Sequence, residues 1–264
     1  KELYQQAQFD EDSLMQFQII GEWEKATPNA DDIDLYIAQF NYYFSTAKRE
    51  IVRFETSEQG GENFSLQVLD SVTEAVGYLN SEITFDQNRT KMAYAYIEKA
   101  KEKWPNRLDL YFGKIFSAGI EGNYNILVKE ILSVLQWSKN NNCKWLWSDG
   151  PLENAQSFVL ENVQAYEAQI WETNTDELLD EMLLIAEKML ELDSRFVPAL
   201  TDAGIVYLSW KRNDEALAFF KRAERINKRD LVLLSNILTC YKRMGNSKMV
   251  AKYEKKISKI ELGK

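Results

Sequence analysis

Apolar positions return along the C-terminal half of the chain at a fixed interval. Residues 163–264 divide into three windows of 34 in which Tyr166, Leu200 and Leu234 hold the same place. So do Met182, Ala216 and Val250, then Met189, Ala223 and Ile257, then Leu192, Ile226 and Ile260. Within each window the apolar residues keep helical spacing on either side of a polar turn. A period of about 34 with helical spacing inside it marks stacked helix-turn-helix units, each burying its apolar face against its neighbours. The predicted fold class is therefore all-α: stacked antiparallel helix pairs, read as a single repeat domain over 1–264.

The window 197–230 carries Gly204, Tyr207, Ala216, Phe220 and Ala223 at its eighth, eleventh, twentieth, twenty-fourth and twenty-seventh places. Small residues there let two helices approach closely, while Tyr207 and Phe220 fill the space between pairs. This pattern resembles the tetratricopeptide-repeat family, which implies a right-handed α-solenoid. The helix pair is predicted over 197–211 and 214–227, with Asn213 as the cap of the second helix beside Asp214 and Glu215. In the last window Gly245-Asn246 makes the turn and Ser247 caps the final helix. In the window before, Thr175 caps the helix that follows, and the preceding helix begins early, near Glu153.

Upstream the period resumes out of phase. The run 92–107 places Ala93, Ile97 and Ala100 before Pro105, as in the second helix of a pair. Residues 108–139 supply both helices of another repeat, turning at Gly122-Asn123. The stretch 140–151 is read as an added loop carrying Trp145 and Trp147. Pro28 in the role of Pro105 makes Ile20 and Trp23 part of a second helix, with Leu3, Tyr4 and Ala7 in a first, so the chain starts partway through a repeat. A helix is predicted over 31–47. Between 49 and 85 the pattern changes to alternation around Gln59-Gly60-Gly61-Glu62, which predicts a small β-hairpin insertion.

Composition and charge narrow the chemistry. A net charge of −9 and a pI near 4.9 speak against a nucleic-acid surface, which needs clustered Lys and Arg. No run reaches the roughly 18 apolar residues of a membrane helix, so the chain is expected to be soluble. It begins at Lys1 without a methionine, as a trimmed chain or one freed of an export signal would, which leaves the compartment, cytoplasmic or exported, open. Nine carboxylates in residues 1–34 face only Lys1 and Lys25, while eight basic residues in 242–264 face only Glu254 and Glu261. The two ends are read as solvated faces, or alternatively as complementary surfaces for self-assembly.

The sequence contains no histidine, which removes His-based catalytic triads and His-ligated metals. No phosphate-binding, CxxC or EF-hand motif is present. Asp31, Asp32 and Asp34, and Asp176, Glu177, Asp180 and Glu181, stand at predicted helix starts, where the dipole accounts for them without a metal or a glycosidase pair. Asn63-Phe64-Ser65 and Asn88-Arg89-Thr90 match a glycosylation triplet that is common by chance. The chain is accordingly read as no enzyme, with no cofactor and no metal.

In the resembling family the first helix of each pair lines a concave surface. Carried over, its places fall on Phe112, Phe116 and Ile120, on Glu167 and Trp171, on Thr201, Ile205 and Leu208, and on Ser235, Thr239 and Lys242. Where some members clamp a C-terminal carboxylate, this chain has Glu167, Trp171, Asp202, Val232 and Asn236; only the asparagine matches. The expected function is non-catalytic capture of a protein, as a peptide or helix, at Phe112, Phe116, Ile120, Trp171, Ile205 and Leu208. Trp145 and Trp147, placed in a loop, are expected to be exposed as a further contact for a peptide or a sugar ring, the second alternative being a sugar-binding accessory role.

Overall fold

The computed structural model describes residues 1–27, 31–55, 65–69, 75–173 and 175–263. Pro28, the Gln59–Glu62 turn and Asn63-Phe64 of the first glycosylation triplet lie outside them. The residues group into two compact units, Lys1–Glu121 and Gly122–Lys264, each described on its own.

In the first unit α1 (Glu2–Phe9), α2 (Ser13–Ala26) and α3 (Ile33–Ser45) precede β1 (Lys48–Glu55), β2 (Ser65–Leu69) and β3 (Ala75–Phe85), and α4 (Gln87–Lys103) and α5 (Leu108–Glu121) follow. Each helix packs on the next, and α3 lies against α4 although the whole β segment separates them in sequence. The separation is closed at its base. The Asp86 amide donates to the Ala47 carbonyl at 2.9 Å, Asp86 accepts the Asn88 and Arg89 amides as the α4 cap, and Arg89 donates to Thr46 Oγ1 at 2.6 Å. The insertion thus leaves and re-enters the array at one point, and α3 and α4 keep the packing of an uninterrupted pair. Between them Phe40, Phe44, Phe85 and Tyr94 form a chain of ring contacts. Next to it Tyr4, Ile20, Leu35, Ala38 and Tyr42 are buried together, with the Tyr4 hydroxyl donating to Ala38 O.

The predicted two-stranded hairpin is corrected to a three-stranded antiparallel sheet of order β1-β3-β2. β1 pairs with β3 from Lys48↔Phe85 to Glu55↔Tyr78, and β2 pairs with the other edge of β3, so the two segments expected to face each other do not. Alternation in each segment reported a strand without reporting its partner. Cross-strand partners share a face, which puts Val52, Phe54, Leu79 and Ile83 together, all exposed.

The second unit contains α6 (Tyr124–Asn140), a short hairpin of β4 (Leu146–Trp147) with β5 (Gly150–Pro151), then α7 (Ala155–Glu172) and α8 (Leu179–Leu192). The pairs α9 (Val197–Ser209) with α10 (Asn213–Ile226) and α11 (Leu231–Arg243) with α12 (Ser247–Glu261) follow. These are the helix pairs that the tetratricopeptide-like spacing implies, within one or two residues of the expected limits. Gly204 has no space for a Cβ: one built there would lie 2.3 Å from the Phe220 ring. Phe220, Ala216 and Ala223 are fully buried with Leu200, Leu233, Leu234 and Ile237.

Three predicted caps are corrected. Asn213 is the first residue of α10 and its Oδ1 has no partner; the chain turns before it, at Lys211 with φ 61°. Asn246, and not Ser247, caps α12 by accepting the Met249 amide at 3.2 Å. Thr175 caps nothing with its side chain; a short 3-10 turn, Asp176–Leu178, stands before α8. At all three places two or three polar residues adjoin the helix start, and composition there does not choose between neighbours.

Overpacking a close helix contact costs about 1–3 kcal/mol. Gly204→Ala and Ala223→Leu are therefore expected to lower the melting temperature of the second unit, whereas Lys255→Ala, on an exposed turn of α12, leaves it unchanged. Lys221, which sequence position suggests as a neutral surface site, is no such control. It pairs with Glu224 at 2.7 Å and sits over the Tyr253 ring at 4.4 Å. Calorimetric melts of the three variants check the helix interface; an unshifted Ala223→Leu would place it elsewhere.

Candidate functional site: an acid-floored cavity beside Trp171

Helical spacing along α7 sets Gln164, Glu167, Ala168 and Trp171 on one stripe, since residues three and four apart are neighbours on a helix surface. Asp202 and Ile205 hold the corresponding spacing on α9. With Met182 of α8 and Glu172 they line a cavity of about 200 Å³. Trp171 and Met182 also border a second hollow of about 230 Å³, with Ile170, Thr175, Asp176, Leu179 and Ser209. Trp171, 40% exposed, therefore stands between two recesses.

The interior of the first cavity is acidic. Glu167 is 1% exposed, and neither of its carboxylate oxygens has a hydrogen-bond partner. Asp202 is partly buried, accepts a hydrogen bond from the Gln164 side chain, and has its Oδ2 without a partner. Gln164 Oε1 is likewise unmatched. Burial first, and then the charge of Asp202, push the Glu167 carboxyl well above its ordinary range. Burial also raises Asp202 from 3.8 to about 6, against the opposing effect of the Gln164 hydrogen bond. Two carboxyls this close titrate as a pair, so the pair retains a proton at a pH where a solvated acid has lost it.

The residues expected to form a contact surface separate into several environments. Trp171 and Ile205 are brought together at the cavity. Leu208 is buried in the core of the C-terminal pairs and offers no open surface. Phe112, on α5 of the first unit, is buried as well, whereas Phe116 and Ile120 on the same helix are 57% and 47% exposed, one turn apart. Trp145 corrects the expectation of an exposed loop: it is 2% exposed, and its Nε1 donates to Ser138 Oγ at 2.9 Å. Trp147 is half-exposed on the β4–β5 hairpin with its ring edge-on to Phe158 at 5.1 Å. Loop position says where the backbone runs; a large apolar ring still finds the nearest core.

Sequence reasoning placed Glu167 and Asp202 on the inner surface but not as a pair. The available signal was their separation of 35 residues, one more than the repeat, which brings two acids to adjoining places on successive first helices. The acids at the start of α3 are accounted for by local partners. Asp32 caps α3 by accepting the Asp34 amide and also accepts from Trp23 Nε1, and Asp34 pairs with Lys1. Among the described residues no group of three or more Asp, Glu, Cys or His residues could hold a metal ion. Among them, too, no helix is long and apolar enough to cross a membrane. Cys143 and Cys240 are free thiols.

An array of antiparallel helix pairs with a recessed acid pair on successive first helices is thus what the fold and the site define. No protein-family model and no curated protein matches the sequence. Among solved structures the chain is similar to MamA at 15% identity and a TM-score of 0.44, over 65% of this chain and 82% of that one. It is also similar to YrrB, described as a TPR protein with an unusual peptide-binding site, at 16% identity and a TM-score of 0.42, over 66% and 78%. A third is pilF of Pseudomonas aeruginosa, at 16% and 0.41, over 66% and 69%. Similarity at this level assigns neither a family nor an activity.

Both carboxyls are raised by folding, so the folded chain holds protons that the unfolded chain releases near 3.8 and 4.5. Their contribution is complete below those values and is lost as pH rises through about 6 and above. A tenfold change in the acidity of a carboxyl on folding corresponds to about 1.4 kcal/mol. Glu167→Gln, which removes the ionisation, should therefore gain stability over the parent increasingly as pH rises above the ordinary carboxyl value of 4.5. Paired melts across that range test this; a constant difference would mean that Glu167 does not titrate there.

Proposed function

We propose that the second unit binds a segment of another protein on the face carrying Trp171 and Ile205, and that it does so without catalysing a reaction. The observation that supports this reading most is Trp171, a residue 40% exposed at the wall shared by two recesses. A large ring left half in water beside unfilled hollows is the arrangement from which an interface anchor gains most on contact, because binding desolvates the ring and fills the space around it. Trp171 and Ile205 hold the same place in successive repeats, so an extended or helical segment lying across the first helices meets both. Phe116 and Ile120, exposed one turn apart on α5, extend the proposal to the first unit as a contact surface of its own. The absence of histidine from all 264 residues leaves carboxyl, lysine or tyrosine groups for acid–base work, and no Ser, Thr, Cys, Lys or Tyr side chain lines the cavity beside the Glu167–Asp202 pair.

The test uses peptides selected on the full chain from a random display library. Truncating a desolvated aromatic anchor costs about 2 kcal/mol or more, roughly thirtyfold in affinity. Trp171→Ala is expected to weaken the selected peptides by that factor with little change in melting temperature. Unchanged binding together with a lowered melt would make Trp171 part of the core and move the binding face elsewhere.

A further inference from the structure

The cavity beside Trp171 holds an unusual concentration of unmatched acceptors. Both oxygens of Glu167, Oδ2 of Asp202 and Oε1 of Gln164 belong to residues that line it, are closed to solvent, and have no hydrogen-bond partner. Folded proteins leave few buried polar atoms unmatched, and those that remain call for a specific explanation. The charged residues lining the cavity are Glu167, Glu172 and Asp202, and no lysine or arginine lines it. Apart from Gln164, the rest of the lining is apolar: Ala168, Trp171, Met182 and Ile205.

We propose that this cavity receives an arginine side chain of the bound protein segment, its guanidinium meeting Glu167, Asp202 and Gln164 and its aliphatic stem lying along Trp171 and Ile205. The inference rests on the protein-binding reading of this face and names what that face selects. A guanidinium offers five donors and no acceptor, which suits a floor that offers acceptors in excess; an ammonium offers three. It is also planar and weakly hydrated, so it stacks on an aromatic ring and tolerates a partly apolar site better than an ammonium does. The size agrees. A cavity of about 200 Å³ has room for one side chain of this size. The terminal torsions of Glu and Gln side chains are soft, so the carboxyl and amide planes turn toward an entering donor without leaving a rotamer well. Two carboxyls and an amide make a poor metal site beside so much apolar surface, and the described residues contain no group of three or more metal-ligating side chains. Entry of a cation favours the ionised acids and so displaces the proton that the empty pair retains; binding is therefore stronger at high pH than at low.

The experiment titrates the full chain by calorimetry with N-acetyl-arginine methylamide, its lysine counterpart, and its citrulline counterpart, which keeps the shape and loses the charge. The arginine probe is expected to bind at least about tenfold more tightly than the citrulline probe. Its affinity should rise with pH across the titration of the acid pair. Glu167→Gln combined with Asp202→Asn is expected to abolish both the preference and the pH dependence. That variant removes buried acids in favour of neutral amides, so its fold is retained, which circular dichroism verifies. Equal binding of arginine and citrulline probes, undiminished arginine binding by the double variant, or no saturable arginine binding each overturns the proposal. Peptides selected by display separate it from the broader reading. Trp171-dependent peptides without enriched arginine would leave the protein-binding face standing and remove the arginine pocket. An arginine probe that binds while no peptide depends on Trp171 would remove the protein segment as its source.

Discussion

Close approach of two helices at Gly204 governs the C-terminal pairs. The Phe220 ring occupies the space where any other residue at 204 would place its Cβ, and Ala216 and Ala223 keep the same face of α10 low enough to seat it. Pairs held at that distance stack at a constant interval, and the interval fixes which residues of successive first helices become neighbours. Trp171 and Ile205 meet at one cavity because they hold equivalent places in adjoining repeats. The acid pair follows from the same spacing, offset by one residue. A change that widened the helix pair would accordingly disturb the cavity without touching any residue in it.

The first unit shows how such packing tolerates interruption. A segment of 38 residues, 48–85, separates α3 from α4, yet the two helices pack together because Asp86 and Arg89 tie the ends of the excursion to Ala47 and Thr46. The entropic cost of a loop grows slowly with its length once its ends are fixed together. The array therefore meets the insertion as it would a short turn, and the sheet is left with side chains such as Val52, Phe54 and Ile83 facing solvent.

The cavity shows the opposite economy. Glu167 sits where burial disfavours its charge, and nothing else in the described chain satisfies its oxygens. An apolar residue at 167 would pack the stripe between Val163 and Ile170 at lower cost, since unmatched buried acceptors oppose folding. Stability alone gives no reason for two acids at that depth. A site that gains from an incoming cation supplies one.

The sequence by itself determined the helix pairs of the second unit and their order, because a period of about 34 and an apolar stripe are properties of the chain read one residue after another. It also determined the small residues at 204, 216 and 223, whose size matters only if two helices nearly touch. Tertiary structure decided the rest. Neighbouring polar residues competed for each helix start, and Asn246 won over Ser247 by backbone geometry. Alternation announced strands within 50–58 and 63–70, but pairing is a choice between distant segments, and both β1 and β2 paired with β3. Trp145 went into the core, where it donates to Ser138, and Trp147 onto a hairpin against Phe158, though the two are only two residues apart. The Glu167–Asp202 pair, finally, exists only where α7 and α9 stand side by side: burial and the nearness of a second charge are properties of the folded chain, and no single residue type carries them.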